Sequence, residues 1–225
     1  MKKCWLVWKC PITRQRYTVG LLEKGDCFYR FSYINSELDE AIKNGFSYFP
    51  GFSNLNEVYE SDKLFANIST RLPNKKRPDY LEILNSYDLD VTSDEFDILI
   101  ATKGRLITDN YEFVPVFNFR KIEFEIAGMS HSKDVEKCKD LLKENVSLIL
   151  KQEPENKYDK YAIQLIFKKM GQEYHLGYVP RYYSKYLADV LNDCISYSAM
   201  IEKVRIDPVL KEDNITVFVK LIFNK

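Results

Sequence analysis

The sequence predicts two modules in tandem. The first is an α+β unit over residues 1–117, with a small antiparallel sheet and three helices, and the second is a mostly-β module over residues 119–225 with one or two helices. Three observations carry this reading: β-rich runs divided by turn signals open the chain, helical spacing takes over between residues 61 and 104, and short apolar runs punctuated by Gly, Pro and Asn fill the second half. At 225 residues, with 45% apolar and 14% aromatic content, the chain is long and apolar enough to bury a core in each part.

Trp5-Leu6-Val7-Trp8 reads as an opening strand, followed by a turn containing Pro11. Gln15 to Glu23 and Cys27 to Tyr33 are β-rich runs on either side of Lys24-Gly25-Asp26, a hairpin signal. Phe46, Tyr48, Phe49, Pro50, Gly51 and Phe52 form an aromatic loop, expected to cover a core because Pro and Gly fix the backbone while the rings supply packing area. A Ser61 cap followed by Leu64, Phe65, Ile68 and Leu72 predicts a helix that stops before Pro73. A second helix is expected from Pro78 through Tyr80, Leu81, Ile83 and Leu84. A third is expected from a Thr92/Ser93 cap with Glu95 reaching back, its stripe formed by Phe96, Leu99 and Ile100 as far as Gly104. Tyr111 to Phe117 closes the unit as a strand.

In the second half, strands are expected at 121–127, 145–151, 161–168 and 173–179. A helix follows from about Ser184, with Tyr186, Leu187, Val190 and Leu191 on one face, and then strands at 196–206 and 214–223.

The composition excludes several function classes. The 33 basic and 33 acidic residues cancel, and each half is within two charges of neutral: 15 basic against 17 acidic over residues 1–118, and 18 against 16 over residues 119–225. No global field therefore recruits nucleic acid, and any such contact has to come from a local patch. The five cysteines, Cys4, Cys10, Cys27, Cys138 and Cys194, contain no CxxC pair, and His131 and His175 add no ligand spacing, so free thiols in a reducing cytosol are expected, with no metal and no cofactor. No apolar run approaches the ~20 residues a membrane helix needs, and the start of the chain is too short and too polar for a signal peptide. The expected location is cytoplasmic.

There is no G-x-S-x-G, no G-x-x-x-x-G-K-[ST] and no G-x-G-x-x-G, and the two histidines lie in unrelated contexts. The chain is expected to be non-catalytic. Glu153 and Glu155 are read as acids of a solvated loop, without an acid/base role.

The binding chemistry is more coherent. Glu153-Pro154-Glu155-Asn156-Lys157-Tyr158-Asp159-Lys160-Tyr161-Ala162-Ile163 follows an apolar run, and Leu176-Gly177-Tyr178-Val179-Pro180-Arg181 answers it downstream. This composition places polar and aromatic groups on a loop at the rim of a sheet. Single-stranded nucleic acid is held by aromatic faces that stack bases and by cations along the phosphates. Tyr158, Tyr161, Tyr178, Tyr182 and Tyr183, beside Lys157, Lys160, Arg181 and Lys185, supply both. A structural reading of the same residues is also available: Asn and Asp cap tight turns, Tyr covers a barrel end, and Gly177 fits a bend.

Over residues of about 120–225 the Pro-Glu-Asn-Lys-Tyr-Asp core, the Ala-Ile strand after it and the Gly-Tyr-Val-Pro-Arg turn resemble a HIRAN domain. The resemblance implies a partly open, OB-like barrel that binds single-stranded DNA at a 3′ end. It implies that Tyr158 stacks on the terminal base, Asp159 accepts a hydrogen bond from the 3′-hydroxyl, Asn156 orients the loop or contacts the nucleotide, and Arg181 holds phosphate. Lys157 and Lys160 flank the loop. Where those relatives have an Arg-Tyr-Tyr run, this chain has Met129-Ser130-His131, and Tyr178 stands in place of a His; His131 and Tyr178 complete the expected nucleic-acid-binding set.

Residues 1–117 carry a second resemblance. Trp5-Leu6-Val7-Trp8, Gly20-Leu21-Leu22, Phe28 to Tyr33, Leu64-Phe65-Ala66-Asn67, Leu72-Pro73 and Glu95 to Leu99 look like the N-terminal subdomain of HipA-type kinase toxins, the HipS-like antitoxin module. It implies docking to a HipA-type kinase as an antitoxin-like regulator, with a helix-turn-helix repressor as a further partner. The alternative is a DNA-repair or phage-defence factor that binds DNA ends and has no kinase partner.

Overall fold

The computed structural model describes residues 1–193, 195–206 and 215–224. The chain divides into two compact units, Met1–Val116 and Phe117–Lys225.

The first unit is built on one antiparallel sheet of five strands in the order β4-β3-β2-β1-β5. Its strands are β1 (Lys2–Lys9), β2 (Arg16–Lys24), β3 (Tyr29–Tyr33), β4 (Val58–Ser61) and β5 (Tyr111–Pro115). The apolar run of β1 places it between β2 and β5, where Cys4, Leu6 and Trp8 reach the same core as Tyr17, Val19, Leu22, Phe31 and Phe113. Helix α1 (Asn35–Lys43) contributes Leu38 and Ala41 to that core. The aromatic loop turns inward as expected: Phe46, Phe49 and Phe52 are buried, and Tyr48 is exposed. The Phe31 ring stacks on Phe52 at 4.3 Å.

The unit holds four helices against the three expected: α1, which precedes the expected helical stretch, then α2 (Ala66–Ser69), α3 (Tyr80–Ser86) and α4 (Glu95–Thr102). Ser61 does not cap a helix. It ends β4 opposite Tyr29, and its Oγ accepts from the Lys63 amide at 3.1 Å, so the helix after it shrinks to the single turn of α2. The cap of α4 is Asp94, whose Oδ1 accepts from the amides of Phe96 (2.8 Å) and Asp97 (3.0 Å). Thr92 is instead held by Asp90, through its amide and its hydroxyl. Asp94 also meets Lys2 at 2.7 Å and Lys24 at 3.0 Å, and those hydrogen bonds hold its carboxyl well below the usual range against the opposing effect of burial.

The second unit is β-rich. One three-stranded antiparallel sheet has the order β10-β11-β6 and another the order β7-β8-β9. The strands are β6 (Lys121–Glu125), β7 (Leu148–Gln152), β8 (Ile163–Lys169), β9 (Gln172–Tyr178), β10 (Tyr197–Ile206) and β11 (Ile215–Phe223). A short helix α5 (Val135–Cys138) precedes β7, and α6 (Arg181–Asn192) follows β9. Isolated bridges join the sheets at both edges, Ala127 to Tyr178 and Ser147 to Met200. Among the described residues the strand sequence β6-β11-β10-β7-β8-β9 thus returns, through Ala127, to the end of β6. Each expected strand of this half is present with its ends shifted by up to three residues, and Asn214 lies outside the described residues.

Helix α6 begins three residues earlier than expected, directly after Pro180, whose fixed φ suits a helix entry. Its first turn therefore includes Tyr182 and Tyr183, both in the core at 5% and 1% exposure. Tyr183 packs edge-on against Phe117 and Phe124, which removes both tyrosines from the stacking surface the sequence suggested. Of the cysteines, Cys4, Cys10 and Cys138 are buried free thiols, Cys27 is an exposed one, and Cys194 lies outside the described residues. Among the described residues no helix is long and apolar enough to cross a membrane.

Candidate nucleic-acid interface

The loop between β7 and β8 is closed by its own polar groups. The Glu153 amide donates to the Ala162 carbonyl at 2.8 Å across the loop mouth, and the Ala162 amide donates to the Asp159 carbonyl at 2.9 Å. Inside, Asn156 Oδ1 accepts from the amides of Tyr158 (2.9 Å) and Asp159 (3.2 Å), while its Nδ2 donates to Glu153 Oε2 at 2.8 Å. Asp159 Oδ1 in turn accepts from the Tyr161 amide at 2.9 Å. Two successive Asx turns fix the backbone here. Asn156 is thereby an orienting residue whose two polar side-chain atoms are both engaged.

The consequence falls on the residues between the turns. Tyr158 stands 74% exposed at the tip, and Lys157 and Lys160 are exposed on either side of it. The Lys160 ammonium lies 5.0 Å from the centre of the half-buried Tyr161 ring. Asp159 is half-buried.

Tyr178 is brought to this loop from β9. Between Leu165 and Ile166 the β8-β9 register shifts, so Gly177 pairs with Leu165, His175 pairs with Ile166, and Leu176 is the extra residue of a bulge. Gly177 has φ 146°, and a Cβ there would stand 2.5 Å from the Ala127 carbonyl oxygen, so only Gly permits the approach of the segment before the Met129–His131 turn. Tyr178 then exchanges both backbone hydrogen bonds with Ala127 at 2.8 Å. Its hydroxyl joins the Glu153 carboxylate, and burial together with that carboxylate pushes the phenol above its usual value. Glu153 shifts the other way, stabilised as an anion first by Asn156 and then by Tyr178 and Gln164. The half-buried Tyr178 ring meets His175 edge-on at 4.9 Å.

The Met129–His131 turn sits beside β9 because the segment after it is bound there. Ser132 Oγ donates to the His175 carbonyl, and Asp134 Oδ2 accepts from the His175 amide at 3.2 Å. Met129 is buried and His131 exposed. Arg181, half-buried, opens α6 three residues after Tyr178.

The structure therefore joins Asn156, Tyr178 and the flanking backbone of Tyr158 and Asp159 in one network, and holds the turn that carries His131 against the same strand. Sequence reasoning missed Glu153, the acid at the centre of the network, and His175, whose backbone holds the Ser132–Asp134 segment. A Glu three residues before an Asn in a turn was the available signal for the first. For the second, only the bulge explains the placement, and the bulge has no sequence signature beyond Gly177. Lys185 is exposed on α6.

Comparison with the curated proteins finds no match. Among solved structures, the HIRAN domain of human HLTF is 17% identical with a TM-score of 0.35, over 47% of this chain and 75% of that one. A Lactobacillus plantarum protein is 19% identical with a TM-score of 0.34, over 44% of this chain and 91% of that one. The family model of the HIRAN domain matches residues 119–221, so the second unit of this chain carries a HIRAN domain and the first unit lies outside the match.

Proposed function

We propose that the second unit binds single-stranded DNA at a 3′ end through the loop between β7 and β8. The observation that carries the reading is the 74% exposed Tyr158 on a backbone closed by Glu153, Asn156 and Asp159, within a unit that matches the HIRAN domain. A ring held outward on a pre-ordered loop offers a stacking face without further ordering of the chain, which lowers the cost of binding. Lys157, Lys160 and Arg181 supply cations for phosphates, Asp159 keeps one carboxylate oxygen for the terminal hydroxyl, and Tyr178 and His131 border the site.

Fluorescence anisotropy with oligonucleotides carrying a free or a blocked 3′ end tests this. Tyr158→Ala is expected to weaken binding by about 5- to 150-fold, the equivalent of the ~1–3 kcal/mol a stacked base contributes, in a protein that unfolds at an unchanged temperature. Equal affinity for blocked and free ends, with a steep salt dependence, would instead identify simple phosphate attraction.

Docking of a HipA-type kinase by residues 1–117, with a helix-turn-helix repressor beside it, has only the sequence likeness behind it. A pulldown with a shortened HipA-type kinase decides it, and an empty pulldown leaves DNA-end binding in repair or phage defence as the reading for the whole chain.

A further inference from the structure

The first unit contains a concavity of about 280 Å³ at the end of β1, and its lining includes Lys9, Arg14, Arg16, Arg105, Asp109 and Glu112. Four cations and two carboxylates do not balance, and the carboxylates are already engaged. Glu112 is 4% exposed, with Oε1 accepting from Arg16 Nε at 2.7 Å and Oε2 accepting from Arg105 Nη2 at 2.7 Å. Asp109 is paired with the buried Arg71, which also donates to the Gly104 carbonyl at 3.0 Å. Among the described residues, Lys9 and Arg14 have neither an ion pair nor a side-chain hydrogen bond.

The backbone around these two cations is fixed. The Lys9 amide donates to the Asn110 carbonyl at 2.8 Å, the Cys10 amide donates to the Gln15 carbonyl at 2.8 Å, and the Arg14 amide donates to the Cys10 carbonyl at 2.9 Å. Arg14 sits at φ 62°, a left-handed conformation in which Gly or Asn is less strained. We propose that this concavity is a binding site for a small phosphorylated ligand, with Lys9 and Arg14 as its phosphate-binding cations and the Arg16–Glu112–Arg105 cluster as its rigid floor.

Several features favour this ligand class. Guanidinium and ammonium groups converging on one hollow match the oxygens of a phosphate or pyrophosphate. A strand of nucleic acid would need a cationic track along the surface, and the charges here meet at a pocket of a size suited to one or two phosphates. Lys9 responds to the uncompensated field: burial first, then the charges of Arg16 and Arg14, lower its ammonium from the ordinary lysine value, and Glu112 opposes them only in part. An anion seated between these groups would relieve that repulsion.

The site is separate from the DNA-binding loop, and its test is separate as well. Isothermal titration of the full chain with pyrophosphate is expected to give saturable one-site binding, weakened at least about tenfold by Lys9→Met or Arg14→Ala and retained in Lys9→Arg. Because Lys9→Met removes a cation from a net-positive surrounding, the variant is expected to melt no lower than the native chain, so a loss of binding reads as loss of the site. Tyr158→Ala is expected to leave pyrophosphate binding unchanged. Absence of saturable binding, or binding indifferent to Lys9 and Arg14, overturns the proposal. So does a result in which pyrophosphate fails to bind while a blocked-end oligonucleotide loses affinity on Lys9→Met, because that assigns the cations to a nucleic-acid backbone.

Discussion

Residues 46–52 and 153–162 are both loops rich in aromatic and turn-forming residues, yet the first buries its three phenylalanine rings and the second presents Tyr158 outward. In the first, a buried partner closes the backbone: the Tyr33 hydroxyl accepts from the Phe49 amide at 2.8 Å and donates to the Phe52 carbonyl at 2.6 Å. Gly51, at φ 91°, lets the chain reverse against Asn67, whose Nδ2 donates to the Pro50 carbonyl. In the second, the loop's own Asn156 and Asp159 do the closing, and no ring has to enter a core to order the chain. Aromatic content alone therefore does not separate a packing loop from a presenting one. What separates them is where the groups that satisfy the backbone come from.

Three measurements break or sharpen that contrast. The largest effect is expected from Phe49→Ala, since Phe49 is 1% exposed and contacts the rings of Phe31, Phe52, Tyr111 and Phe113. Urea unfolding should show a loss of about 3–5 kcal/mol. Less than about 1 kcal/mol would mean that the loop is not part of the core. By contrast, Tyr158→Ala is expected to stay within about 0.5 kcal/mol.

Next comes Tyr33→Phe, which leaves a buried amide and a buried carbonyl without their shared partner and is expected to cost about 2 kcal/mol. Burial already pushes the Tyr33 phenol up to about 12, so the native hydroxyl remains protonated and available as a donor throughout the neutral range. Asn156→Ala, the matching cut in the other loop, should loosen its tip without changing global stability as much, and limited proteolysis at residues 157–160 reads the difference.

The smallest effect is a titration. Glu153 has its folded value depressed, so its contribution is complete above the ordinary glutamate value of 4.5 and is lost as the pH falls through the folded value. The Asn156 side-chain amide signals, followed by NMR, should shift across that window, and Glu153→Gln should abolish the shift. A shift that persists in Glu153→Gln would assign the titration to another carboxylate.

Much of this was legible in the sequence. In the second unit, apolar alternation and Gly-Pro-Asn punctuation located every strand among the described residues, because the strands bury apolar side chains and their turns are chemically distinct. The first unit was harder to read. Helix α1 offers only Leu38 and Ala41 to the core among Glu37, Asp39, Glu40 and Lys43, too thin a stripe for periodicity to register. Ser61 has the chemistry of a cap, but pairing with β3 outweighed it. Tyr182 and Tyr183 misled for a related reason: a tyrosine serves core and surface equally well, and only the position of the helix start after Pro180 decides which. The loop's polar ring was half visible, since Asn156 and Asp159 advertise turns, whereas the acid joining them to Tyr178 comes together only once β7 and β9 are placed.

The bond from the Glu153 amide to the Ala162 carbonyl has a further consequence. The hydrogen bonds that close the loop's two turns use main chain and the side chains of Glu153, Asn156 and Asp159, so the side chains of Lys157 and Lys160 stand outside them. Substitutions at these two positions are therefore expected to change the charge of the loop's surface while the turns beneath keep their shape.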